Sequence, residues 1–299
     1  MNKEIRLGII GSSDGNGHPY SWSAIFNGYN QKIMKNSGYP TISNYLKKQK
    51  FPDIQIKEGK VTHVWTQDKN LSNHIASSTF IDNVVDDYHE LIDKVDAILL
   101  ARDDAENHFK IAKPFLEAGM PIYIDKPFAL TVFDAKELIK LQRYKGQIFS
   151  CSAMRYSAEL KLSDEQKNIV GEICSIHGFV PKSWDKYAVH IIEPILQLIP
   201  GRGEILENKI WRHDDKVLLL VNFKTGEEIH IQTCGNSISP ISLRIIGTKG
   251  WVDLIFTDTF NTFRCALLDF IKGIINKDER IPSNEIIEVV KFIELGRSK

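Results

Sequence analysis

Two stretches of the chain carry residue types that could do chemistry. GIIGSSDGNGHPYSW, from Gly8 to Trp22, runs from an apolar segment into a glycine-rich turn. Such a turn, with Ser12, Ser13, Asp14, Gly15 and Asn16 on it, offers backbone N–H groups to a phosphate. IYIDKP, ending at Pro127, puts Asp125 and Lys126 where a short apolar run stops. In an open α/β sheet, ligands bind outside the carboxyl ends of the strands, so a lysine held there is aimed into the crevice. Its ammonium group can orient or polarise a reacting oxygen. Pro127 fixes the turn, and the bond before it can be cis. The same residues also describe an ordinary strand-end turn with a solvated lysine.

The glycine turn departs from the dinucleotide fingerprint GxGxxG. Gly11 fills the first position, but Ser13 stands at the second and Asn16 at the third, with Gly15 and Gly17 out of register. His18-Pro19 delays the helix to about Tyr20 or Ser21. The acidic residue that reads a ribose at the end of the second strand is also missing. Thr66 stands there, with Asp68 two residues on.

The elements that must position these residues alternate. Strands are predicted at Ile5–Ile10, Val61–Trp65, Ala97–Ala101, Pro121–Ile124 and Gln147–Cys151. Helical spacing falls between them, at Leu71–Ser77, Asp87–Lys94, Ala105–Ala118 and Thr131–Arg143. In the last, Leu130, Phe133, Ala135, Leu138 and Leu141 recur on one face. This order implies an N-terminal Rossmann-type, doubly wound parallel sheet over residues 1–152. Residues 39–60, polar and Lys-rich with a short helix at Ile42–Lys48, exceed what a strand–helix–strand unit of ~30 residues needs and read as an insertion. A solvated surface decoration is the plainer reading of it, a lid or binding loop the other. After residue 153, strands at Glu172–Phe179, Glu204–Arg212, Lys216–Phe223, Glu228–Thr233, Ser242–Ile246 and Trp251–Phe256 are punctuated by HDDK, KTGE and GTKG. Helices at Lys186–Leu198, Thr259–Ile275 and Ser283–Gly296 complete a C-terminal α+β domain, 153–299, with a mostly antiparallel sheet.

The chain resembles a known family. DAILLARDDAENHFKIAKPFLEAGMPIYIDKPFALTVFDAKEL, residues 96–138, is similar to the glucose–fructose oxidoreductase / inositol dehydrogenase-like (Gfo/Idh/MocA) oxidoreductases, with Asp125 where Glu is usual in their EKP motif. CSAMRY (151–156), VGEICSIHG (170–178) and IIGTKGWVDL (245–254) resemble further family segments in the same order. The resemblance implies hydride transfer between NAD or NADP and a carbohydrate-type hydroxyl or ketone. It implies that Lys126 and His190, in SWDKYAVHIIEPIL, face substrate and nicotinamide. The family's Asp four residues before that His is replaced by Lys186, with Asp185 one residue further back. A cation so placed depresses an imidazole pKa and favours the neutral base, where an Asp does the reverse. Gly11, Ser12, Ser13, Gly15, Asn16, Thr66, Ala101, Arg102, His108, Asp125, Lys126 and Arg155 are the expected cofactor contacts. Trp184 and Tyr187 could stack on a sugar or simply pack. Self-association through the second sheet's exposed face, near Leu218–Val221, as a dimer or tetramer, is also implied. Two rivals remain: a member that kept the fold as a binding or regulatory protein, and an enzyme using bound NAD without net redox.

Bulk properties exclude other classes. Lys+Arg and Asp+Glu both number 38, so no electrostatic case exists for nucleic acid or an anionic membrane as partner. No apolar run approaches the ~20 residues of a membrane span, and MNKEIRLGII lacks the features of a signal peptide. The four cysteines form no CxxC pair, so neither zinc nor a disulfide scaffold is expected, and a reducing cytoplasm fits. His190 with Glu193 is only half a metal site, and no metal is expected.

Overall fold

The computed structural model describes residues 4–298. The chain forms two compact units, one of Met1–Ala129, Phe133–Cys151 and Phe263–Ile286, the other of Leu130–Val132, Ser152–Thr262 and Ile287–Lys299. The chain thus re-enters the first unit late, a return that a single division at residue 152 does not contain.

In the first unit, strands β1 (Ile5–Ile10), β2 (Gly59–Trp65), β3 (Asn83–Val84), β4 (Ala97–Leu100), β5 (Ile122–Ile124) and β6 (Ile148–Phe149) form one sheet in the order β3-β2-β1-β4-β5-β6. Every pairing is parallel. Apolar residues fill β4 and β5 without alternation, as strands covered on both faces require, and both are buried throughout. Helices α1 (His18–Asn27), α2 (Gln31–Met34), α3 (Pro40–Lys47), α4 (Lys69–Thr79), α5 (His108–Glu117) and α6 (Val132–Lys140) connect the strands. Trp22 and Tyr123 stack at 4.7 Å, Tyr123 meets Phe149 edge-on at 4.7 Å, and Phe270 closes the aromatic cluster at 5.6 Å from Phe149. Each such pair adds about 0.5–1.5 kcal/mol beyond area burial.

Three local differences have physical causes. Residues 88–91 form one 3₁₀ turn, closed by a reciprocal Asp87–Glu90 cap, where a longer helix was expected. Phe133 is 70% exposed, so α6 buries Ala135 and Leu138 but leaves this member of its apolar spacing outside. The 39–60 segment is no solvated decoration. Ile42, Leu46 and Ile56 are buried, the Ile56 N–H donates to Ile25 O at 3.1 Å, and Tyr39 and Ile42 press on the glycine turn. Lys47 and Lys48 are exposed at the end of α3, and Lys60 on β2 pairs with Asp82 at 2.9 Å.

The second unit holds β7 (Ile173–Val180), β8 (Ile205–His213), β9 (Lys216–Phe223), β10 (Glu228–Thr233), β11 (Ser242–Gly247) and β12 (Trp251–Ile255), in the order β12-β11-β7-β10-β9-β8. Only β7 and β10 pair in parallel, across the centre. Alternation is strict on β9 and β10, so Leu219, Val221, Ile229 and Ile231 point inward. Helices α7 (Asp164–Val170), α8 (Trp184–Tyr187) and α9 (Val189–Leu198) belong to this unit, and α9 packs on the inner face. The sequence reading missed α7, although Ser163 and Gln166 form its capping box. Helices α10 (Thr259–Asn276) and α11 (Ser283–Arg297) end the chain.

Candidate active site

Strand order reverses between β1 and β4, the switch point where crevices of open α/β sheets form. Three segments leave the sheet beside it: Gly11–Gly17 after β1, Arg102–Asp104 after β4, and Asp125–Lys126 after β5. Lys126 is buried, and its Nζ lies 3.5 Å from Asp103 Oδ2. The Ser13 hydroxyl donates to Asp103 Oδ1 at 2.6 Å and accepts the Asp103 N–H at 3.0 Å. A buried ammonium needs such a partner, since an unpaired charge out of water is costly. Lys126 is therefore a held cation, and the bond to Pro127 is cis.

Asp125 does something the sequence did not disclose. Its carboxylate accepts the Lys126 N–H at 2.8 Å, the Asn16 side-chain amide at 2.9 Å, and lies 2.6 Å from His18 Nδ1. Asn16 Oδ1 in turn accepts the His18 N–H at 2.8 Å. The His18 ring stacks on Trp22 at 5.1 Å and meets Phe263 edge-on at 4.9 Å. Asp125 thus pins the glycine turn to the end of β5 through Asn16, which stands at the fingerprint's third position, and through His18. Helix α1 begins at His18 itself, two residues before the expected start.

The turn fits a phosphate. Its N–H groups at Gly11, Ser12, Asn16 and His18 are engaged within the protein, which leaves those of Ser13, Gly15 and Gly17 as donors. The first turn of α1 holds no acid, and its N–H groups are engaged, that of His18 by Asn16 Oδ1 and those of Tyr20 and Ser21 by Gly17 O, so the helix favours an anion there through its dipole alone. Gly15 has φ +74 and open space where a Cβ would stand. Gly11 and Gly17 are required for packing: a Cβ would lie 2.4 Å from Pro19 Cγ at the first and 2.5 Å from Ile42 Cδ1 at the second.

The ribose side differs. Thr66 is buried, and its hydroxyl donates to Asp68 O at 2.6 Å and lies 2.9 Å from Ser72 Oγ. Gln67 brackets Ser12, accepting its N–H at 3.0 Å and donating to its carbonyl at 2.8 Å. Arg102 donates to Gln67 Oε1 at 3.1 Å and is clamped by Asp104 through Nε–Oδ1 at 2.9 Å and Nη2–Oδ2 at 2.5 Å. Burial alone raises the Asp104 pKa, but hydrogen bonds from Arg102 and Asn107 outweigh it and hold the carboxyl below its ordinary value. The Ala101 N–H continues the sheet to Ile10 O at 2.8 Å. His108 is fully buried, its ring nitrogens 2.9 Å from Arg102 O and 3.1 Å from Phe128 O. Its contacts brace the loops after β4 and β5.

In the second unit, His190 is buried one residue into α9, with Nδ1 2.8 Å from Ser152 Oγ. The Ser152 N–H donates to Glu193 Oε1 at 2.7 Å, and Arg155 Nη1 lies 4.0 Å from Glu193 Oε2. Ser152, 38 residues earlier in the chain, contacts the imidazole. Asp185 pairs instead with Arg297, and Lys186 sits half-buried on α8. Trp184 packs rather than stacks on a ligand: it is buried, and its Nε1 donates to Ile293 O at 2.9 Å. Tyr187 meets the His190 ring edge-on at 5.2 Å.

Comparison with known proteins agrees with this fold. Residues 5–152 match the model of an oxidoreductase family with an NAD-binding Rossmann fold. A 74-residue segment, 25% of this chain, is 35% identical to an uncharacterised oxidoreductase, YhhX, of Escherichia coli, and spans only 20% of that relative. Among solved structures, myo-inositol 2-dehydrogenase from Lactobacillus plantarum superimposes with TM-score 0.75 at 14% identity, covering 99% of this chain and 96% of that one. UDP-N-acetylglucosamine 3-dehydrogenase from Acidithiobacillus ferrooxidans gives 0.72 at 13% identity, with 99% and 97% covered. Myo-inositol dehydrogenase from Lactobacillus casei, solved with NAD(H) and myo-inositol, gives 0.72 at 15%, with 98% and 93% covered. At these identities the structures speak for the fold, and it is the match over residues 5–152 that names the family. The chain belongs to the Gfo/Idh/MocA oxidoreductases.

Proposed function

We propose that this protein is an NAD(P)-dependent oxidoreductase acting on a carbohydrate-type hydroxyl or ketone. The observation that carries the reading is the buried Lys126, held by Asp103 at the carboxyl end of β5 beside the sheet's switch point. Bound nicotinamide supplies the hydride acceptor or donor. The N–H groups of Ser13, Gly15 and Gly17, with the start of α1, hold the pyrophosphate, and Asp125 keeps that turn in place. Lys126 orients the reacting oxygen. In the second unit, His190 is the imidazole that the family resemblance assigns to proton exchange, and Ser152 positions its ring. Because Thr66 is spent locally and Arg102 is clamped, neither a ribose carboxylate nor an unclamped guanidinium selects NAD from NADP. The four cysteines are free, which suits a reducing compartment such as the cytoplasm, and among the described residues no helix is long and apolar enough to cross a membrane.

Self-association through the second sheet is part of the proposal. Leu218 and Leu220 face outward, alternating with inward Val217, Leu219 and Val221, and Trp251 and Ile255 add 58% and 53% exposed apolar side chains on β12.

Titration of the chain with NADH and NADPH, followed by quenching of tryptophan fluorescence, tests the cofactor. Saturable quenching in the micromolar range supports the enzyme. No saturation with either favours a second reading, a binding protein that kept the fold, for which Gln67 over the Ser12 N–H is the favouring observation. With binding established, Lys126→Met should cut turnover of any accepted sugar roughly 10²–10³-fold while leaving dinucleotide affinity within about threefold.

A further inference from the structure

One group of side chains lies outside the nucleotide turn and the residues around Lys126 and His190, on the sheet face that also carries Leu220, the pairing partner of His230. On the outer face of the second sheet, His177 of β7 and His230 of β10 stand directly opposite in parallel register. Their rings stack at 4.1 Å with planes 6° apart. Glu228 is two residues before His230, hence on the same face of β10, and its Oε1 lies 2.5 Å from His230 Nε2. One ligand atom from each of the three falls within 4.8 Å of the others, and among the described residues this is the one group of three metal-ligating side chains so placed.

We propose that His177, Glu228 and His230 bind one divalent transition-metal ion of the zinc class. The donor set, two imidazole nitrogens and a carboxylate oxygen, is that of three-ligand zinc sites, which leave a fourth position to water. Zinc holds such atoms at ~2.0–2.2 Å, so they stand about 3.3 Å apart around one ion. Turning the side chains about their own bonds closes the remaining gap, because all three already project from adjacent strands on one face. The ion then replaces the direct His230–Glu228 contact by sitting between the two groups. His177 Nε2 is 2.9 Å from Ser175 Oγ, a hydroxyl on the same strand able to orient the ring. The cation nearest in register, Arg244 opposite His177, is turned away to Asp253 through two bonds of 2.8 Å and lies over Trp251. A hollow lined by His177, Phe179, Ser242, Arg244, Asp253 and Ile255 opens beside the site and gives room for the fourth ligand. The ion would tie the two central strands of this sheet together.

The test uses the untagged full chain, stripped with a chelator and titrated with Zn²⁺ against a chromophoric competitor, and separately with Co²⁺. We expect one Zn²⁺ per chain, a visible Co²⁺ absorption of tetrahedral type, and a rise in melting temperature with Zn²⁺. His230→Ala and Glu228→Gln should each weaken binding roughly tenfold or more, while His213→Ala, at an exposed histidine on β8, should leave it unchanged. Glu228→Gln keeps size and hydrogen bonding, so it remains informative if a histidine variant folds poorly. Absence of stoichiometric binding by the wild-type chain, or undiminished binding by the folded Glu228→Gln and His230→Ala variants, would overturn the proposal.

Discussion

At the scale of single residues, Asp125 explains why the glycine turn can lose its fingerprint and keep its place. A carboxylate that accepts from three donors fixes the turn with charge and hydrogen bonds where the usual pattern relies on the absence of side chains. Asp125→Ala leaves Asn16 and His18 without their acceptor, and should lower unfolding free energy in urea by about 1–3 kcal/mol. Ser152→Ala tests the orientation of His190. It should reduce kcat roughly tenfold with KM little changed, and shift the pH profile of kcat, whereas a merely structural role would leave that profile where it was. Little of this was legible in sequence. Lys126 stood out because a strand ended beside it. His18 did not, because its partner lies 107 residues away and nothing local signals the pair. Ser152 was likewise hidden, since the sequence directs attention to one helical turn before His190, not to a loop 38 residues earlier.

At the scale of elements, the turn and the 39–60 segment behave as one piece. Gly17→Ala would drive a methyl against Ile42 and Tyr39, costing about 1–3 kcal/mol as overpacking does. Combining it with Ile42→Ala should recover part of that loss, so the two changes will not add in a double-mutant cycle read by thermal melts. A second tie is acidic. Glu159 accepts the N–H groups of Thr257 at 2.6 Å and Asp258 at 2.9 Å, just before α10. Burial raises the Glu159 pKa, but the Thr257 hydroxyl, which also donates to this carboxylate, and these two N–H groups outweigh it, and the value lies below its ordinary 4.5. A depressed acid contributes stability in full above its unfolded value, and that contribution fades as pH falls through the lower folded value. Acid titration of stability should therefore be shallower for Glu159→Gln than for the wild type below about pH 4.5. Strands with unmixed or alternating patterns, such as AILL and KVLLLVNF, were readable because period alone decides them. The two-residue β3 and the seven-residue α7 were not, being too short for a period to show.

At the scale of the whole molecule, the outward row on β9 and β12 predicts an assembly. Light scattering on the eluted protein should give a mass of at least two chains, and Leu218→Lys should shift it toward one. The parallel pairing of β7 with β10 is what sequence could not supply: strand identity follows from alternation, but neighbourhood depends on contacts made across 53 residues, such as Gly178 with Ile231. The late return of residues 263–286 to the first unit was equally invisible, because an amphipathic helix does not declare which core it will join. That return has a consequence for synthesis. A ribosome delivers all of the first sheet before Phe270 exists, and on the order of ten seconds pass before the segment ending at Ile286 has emerged. Until then the nascent first half holds Tyr123 and Phe149 without the ring that seals them, so a chain stopped near residue 152 should be a chaperone client, not a free-standing nucleotide-binding domain.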